Sequence, residues 1–109
     1  MRSTMETLAR LEATIAQRRT AGHASGSYVA QLHARGLPVI ARKLGEEAIE
    51  TVVAALAGTP EELTGEAADV LFHLLVLLGE KGIRFSAVLD ELDRREGTSG
   101  LEEKAGRSC

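Results

Sequence analysis

No stretch of this sequence alternates apolar and polar residues for long enough to make a strand. Every long segment instead repeats apolar positions at intervals of three and four, the spacing of one helical face. The expected fold class is therefore all-α, a helical bundle of four to five helices.

Start and stop signals divide that pattern. The first helix is expected from about Thr4 to Arg19, with Ser3 as cap and Glu6 completing a capping box. Its apolar stripe is Met5, Leu8, Leu11 and Ile15, and Thr20 to Gly26 reads as a polar link. A second helix runs from near Ser27 to near Gly36, with Tyr28, Val29 and Leu32 apolar. The third opens at Leu37-Pro38, carries Val39, Ile40, Leu44, Ile49, Val52, Val53 and Leu56, and stops at Gly58. Thr59-Pro60-Glu61-Glu62 is a restart signal, and the fourth helix continues to about Lys81, with Gly65 as a later start or a kink. Ser86 is expected to cap a fifth helix, from Ala87 to about Glu96, that turns Val88, Leu89 and Leu92 inward. Residues 97–109 are rich in Gly, Ser and charge and read as a mobile tail, leaving 1–96 as the domain.

Composition narrows the function. Aromatic residues make up 3% of the 109, so aliphatic side chains must fill a small core, and self-association as a homodimer is expected. The net charge of −3 lacks the basic excess of a general nucleic-acid binder. The lone cysteine, Cys109, has no partner for a disulfide and no zinc-site spacing. The longest apolar stretch, around Val70–Leu78, is too short to span a membrane, and Met1-Arg2-Ser3-Thr4 leads into an amphipathic segment rather than a signal peptide. A cytoplasmic protein without a membrane partner is expected.

The acidic residues carry the chemical signal. Lys43, Glu46, Glu47 and Glu50 fall within an arc of roughly 100° on the third helix. Glu66 and Asp69 share a face of the fourth, with His73 one turn further on. A short link favours antiparallel packing, which would bring Glu47, Glu50, Glu66 and Asp69 together. Like charges a few ångström apart repel strongly, so such a cluster takes up protons or a cation, and oxygen-only ligands point to Mg²⁺ or Mn²⁺. The plainer reading is a solvated acidic face, with Glu66 as a first-turn dipole partner. The apolar neighbours of both acidic groups argue against it. Lys43 is a candidate phosphate contact, or else an ion-pair partner of Glu47. His73 reads as a packed histidine bonded near Asp69, His23 and His33 as surface residues, and Tyr28 as core or a base-stacking ring.

Glu-Glu-Ala-Ile-Glu at 46–50 followed by Glu-Ala-Ala-Asp at 66–69 resembles the EExxE…ExxD signature of the all-α, MazG-like nucleoside triphosphate pyrophosphohydrolases. Ser27-Tyr28, Gly36-Leu37-Pro38, Lys43 to Glu47, Phe72 to Leu78 and Ser99 to Lys104 together resemble the phosphoribosyl-ATP pyrophosphohydrolase family. The resemblance covers nearly the whole chain. It implies hydrolysis of phosphoribosyl-ATP to phosphoribosyl-AMP and pyrophosphate in histidine biosynthesis, with Mg²⁺. Carried over by motif position, it makes Glu47, Glu50, Glu66 and Asp69 the metal ligands. Glu46 would hold a second metal or orient the attacking water. Lys43, Lys81, Arg84, Lys104 and Arg107 are the cations available to the phosphates. One departure is Val29, where the family often has Thr. A house-cleaning nucleoside triphosphate hydrolase and a non-catalytic dimerisation module are the alternatives.

Overall fold

A computed structural model describes residues 4–21 and 27–97, and the side chains from Glu6 onward. It is all-α: α1 (Thr4–Arg19), α2 (Tyr28–Arg35), α3 (Leu37–Ala57), α4 (Pro60–Glu80) and α5 (Phe85–Arg95). Ser3, His23, Lys104, Arg107, Cys109 and all of the expected tail except Gly97 lie outside the described residues. No helix among the described residues is long and apolar enough to cross a membrane.

The junctions follow local chemistry. The Ser27 hydroxyl caps α2 by accepting from the Ala30 N–H at 3.2 Å. Gly36 ends α2 and begins α3 with φ of 98°, a backbone conformation that disfavours a side chain. Thr59 and Glu62 form a reciprocal capping box at the head of α4, with bonds of 3.1 and 2.8 Å. Gly58 is needed for closeness: a Cβ there would lie 3.0 Å from the Ala54 carbonyl oxygen and 2.9 Å from a Glu62 carboxylate oxygen. α4 runs through Gly65 without a break.

The core sits at one end. Ile15, Val29, Leu32, Ile40, Leu75 and Val76 form one buried cluster, drawn from α1, α2, the start of α3 and the end of α4. His33 on α2 adds a polar tie, its Nδ1 lying 2.8 Å from a Glu80 carboxylate oxygen. Beyond this body, α3 and α4 continue as a hairpin packed mainly on itself. Ala54 is the one buried residue in its closed half.

One apolar face stays open and two expectations fail here. Ile49, Val52, Val53 and Leu56 are not core: they are 66, 57, 56 and 83% exposed, because no described element covers that face of the hairpin. Leu92 is 55% exposed rather than inward, while Val88 and Leu89 are half-buried. Ser86 does not cap α5, which starts two residues earlier than expected, at Phe85, without any side-chain cap from its N-cap residue, Arg84. Glu12 of α1 does that work across the fold, its carboxylate accepting from the Phe85 N–H at 2.7 Å. An orphan donor at a helix start is satisfied equally well by a tertiary carboxylate.

Glu12→Ala should therefore cost about 1.5–3 kcal/mol in urea denaturation, the worth of a hydrogen bond to a charged group. Ser86→Ala should stay within about 0.5 kcal/mol of the parent. The reverse ranking would restore Ser86 as the cap.

Candidate metal centre

The short Gly58–Thr59 link folds α4 back along α3, so residues equidistant from Gly58 face each other. Glu50 and Glu66 are such a pair, and so are Glu47 and Asp69. The i, i+3 spacing repeats on both helices and puts each pair on the same side of the hairpin.

Glu47, Glu66 and Asp69 each bring a carboxylate oxygen to within 4.8 Å of the others. Glu47 and Glu66 are half-buried and Asp69 is exposed. The Glu66 carboxyl is pushed above its ordinary value, first by burial, then by the charges of Glu50, Glu47 and Asp69 and by a hydrogen bond with Glu50. All four expected acids thus sense one another. The cluster opens into a groove of ≈ 580 Å³ between the two helices, bordered by Ile49, Glu50, Val53, Gly65, Glu66 and Asp69.

Glu46 sits apart from this set. It lies 3.5 Å from the Arg42 guanidinium and 3.5 Å from the Lys43 ammonium. Lys43 therefore pairs with Glu46 one turn on rather than with Glu47, whose carboxylate turns toward α4. Lys81 and Arg84 are not at the cluster. Lys81 follows α4 a dozen residues beyond Asp69, about 18 Å along the axis. Arg84 lines a separate pocket with Glu12 and Arg19. Val29 is 3% exposed in the core, so that position presents nothing to the groove.

Behind the carboxylates lies a polar pair that spacing within one helix does not reveal. His73 is 4% exposed, and its ring nitrogens meet the Asp69 main-chain carbonyl at 2.7 Å and the Tyr28 hydroxyl at 2.8 Å. His73 is thus the packed histidine expected near Asp69. Tyr28, 44% exposed, is neither wholly core nor free of it.

The family model for phosphoribosyl-ATP pyrophosphohydrolase matches residues 8–96. The chain is 66% identical over 101 residues to the phosphoribosyl-ATP pyrophosphatase of Rhizorhabdus wittichii, an alignment covering 93% of this chain and 94% of that protein. It is 65% identical over 103 residues to the protein of the same name from Novosphingobium aromaticivorans, covering 94% and 95%. The same identity over the same length holds for that of Erythrobacter litoralis, covering 94% and 98%. Agreement over this much of the chain, at this identity, leaves one assignment: it belongs to the phosphoribosyl-ATP pyrophosphohydrolase family.

Proposed function

We propose that this chain hydrolyses phosphoribosyl-ATP to phosphoribosyl-AMP and pyrophosphate in histidine biosynthesis, in the cytoplasm, using Mg²⁺ held by Glu47, Glu50, Glu66 and Asp69. The observation that carries the reading is the convergence of carboxylate oxygens from α3 and α4 within 4.8 Å. Membership of the family supports this substrate over plain nucleoside triphosphates. The donor set suits the ion: all-oxygen, without Cys or His, and crowded enough to raise Glu66. Bound there, the cation would neutralise charge on the phosphate chain.

The chain's own residues have separate tasks in this reading. Glu46, on the same arc of α3 as Glu47 and Glu50, orients the attacking water, taking its proton as the new P–O bond forms. The anhydride P–O bond between the α and β phosphates breaks, and pyrophosphate leaves. Lys43 exchanges Glu46 for a phosphate oxygen. Its pair with Glu46 is partly exposed and weakly held, so the exchange costs little.

The homodimer belongs to the same proposal. Ile49, Val52, Val53 and Leu56 lie within an arc of about 100° on α3, next to the acidic face. Four large, solvent-facing apolar side chains on one helix form the kind of patch that a second copy covers.

Pyrophosphate release should occur from phosphoribosyl-ATP and not from ATP or deoxynucleoside triphosphates, and EDTA should stop it. Glu47→Gln should lower the rate more than about 100-fold, since even outer partners of a metal cost about 10–100-fold. Its melting temperature without metal should hold or rise. An active Glu47→Gln enzyme removes Glu47 from the ligand set.

The raised Glu66 value fixes a pH dependence. The folded state holds this proton more tightly than the unfolded chain, so Glu66 makes the metal-free protein more stable as pH falls from above its raised value to below the ordinary 4.5. Metal binding needs the ionised carboxylate, so the rise in melting temperature given by Mg²⁺ should shrink over the same descent. Melts at about pH 7 and about pH 5 test this. A larger Mg²⁺ effect in acid contradicts it.

Leu56→Glu should convert the dimer to a monomer in sedimentation equilibrium. A parent protein that already sediments as a monomer refutes the dimer.

A further inference from the structure

His73 is the one buried polar side chain among the described residues. Its two ring nitrogens have different partners, and one partner dictates the role of the other. The Asp69 main-chain carbonyl, 2.7 Å from Nδ1, can only accept a hydrogen bond. Nδ1 must carry the hydrogen. In the neutral imidazole a hydrogen on one ring nitrogen leaves the other bare, so Nε2 is the acceptor. The Tyr28 hydroxyl, 2.8 Å from Nε2, must then donate to it. With its hydrogen committed inward, the phenolic oxygen has only lone pairs to offer on its outer side.

The rings hold this arrangement. Tyr28 stacks on Phe72 at 6.0 Å between centroids, and both meet His73 edge-on at 5.6 and 5.2 Å. Tyr28 nevertheless keeps 44% of its surface exposed. It also lies within electrostatic reach of the site. Burial raises its pKa, opposed by Lys43 and supported by Glu47 and Asp69, so the phenol stays protonated. An acceptor-only oxygen bonded to the histidine that holds the Asp69 main-chain carbonyl suits one half of a nucleotide. Ionised phosphates have acceptor oxygens only, whereas ribose hydroxyls and base N–H groups donate.

We propose that Tyr28 is a specificity contact, accepting a hydrogen bond from a ribose hydroxyl or base N–H of the substrate, and that His73 is the positioning residue that aims it. The proposal rests on the phosphoribosyl-ATP reading. It assigns the nucleoside end of the site to the α2 side of the hairpin, with Lys43 serving the phosphates.

The two reaction products separate the halves. Calorimetric titration of the Mg²⁺-loaded enzyme with phosphoribosyl-AMP should show Tyr28→Phe weakened by about 5- to 10-fold, the worth of one neutral hydrogen bond. Pyrophosphate affinity should stay within about twofold, and KM for phosphoribosyl-ATP should rise with phosphoribosyl-AMP Kd. Equal losses for both products, or no loss for either, overturn the proposal, because a purely structural hydroxyl does not distinguish them. Nitrogen-15 spectra of the parent protein test the aiming independently of any variant: His73 should show a protonated Nδ1 and a bare Nε2, and the opposite tautomer overturns it. A parent enzyme that releases no pyrophosphate from phosphoribosyl-ATP refutes the underlying reading instead.

Discussion

Mutual repulsion among Glu47, Glu50, Glu66 and Asp69 is the constraint around which the molecule is arranged. Left to themselves, four acids on two helices would push those helices apart or collect protons, and the raised pKa of Glu66 leans toward the second response. They stay together because the hairpin is clamped at both ends. At the closed end, Gly58 allows the chain to pass tightly over Ala54, and the Thr59–Glu62 capping box fixes where α4 begins. At the open end, Ile40, Leu75 and Val76 lock the same two helices into the core. The open-end clamp stands outside the groove, the closed-end clamp lines it at Ala54, Gly58 and Glu62, and together they set the geometry of the site.

The small body of α1 and α2 is better understood as a support than as a core in its own right. It supplies Val29, Leu32 and Ile15 to the apolar cluster, Tyr28 to the buried histidine, and Glu12 to the head of α5. Each of these ties reaches α4 or the segment after it. The effect is to hold the far end of α4 still, and through its helical rigidity to hold Glu66 and Asp69 in phase with Glu47 and Glu50.

What could be read from the sequence was local. The bounds of α2, α3 and α4 followed from Ser27, Gly36, Gly58 and the Thr59–Glu62 box, because each signal acts on backbone groups within a few residues. The grouping of the four acids followed from equal spacing on either side of a short link. What could not be read was tertiary. Glu12 and Phe85 are 73 residues apart, and Tyr28 and His73 are 45 apart, so no spacing rule connects them. The apolar run from Ile49 to Leu56 was legible as apolar, yet periodicity identifies a face and never what lies against it. Lys43 has acids at both the third and the fourth following positions. Its choice of Glu46 depends on α4 drawing Glu47 away.

The mirror arrangement about Gly58 also bears on how such a chain can change over time. One residue gained or lost within α3 after Glu50, or within α4 before Glu66, turns one acidic pair about 100° away from its counterpart. The length of the hairpin between the acids is therefore under a counting rule, independent of which side chains fill it. Substitutions there preserve the count, although Gly58, Ala54 and the Thr59–Glu62 box answer to contacts of their own; insertions and deletions break it. Drift in length must fall outside the span from Glu50 to Glu66.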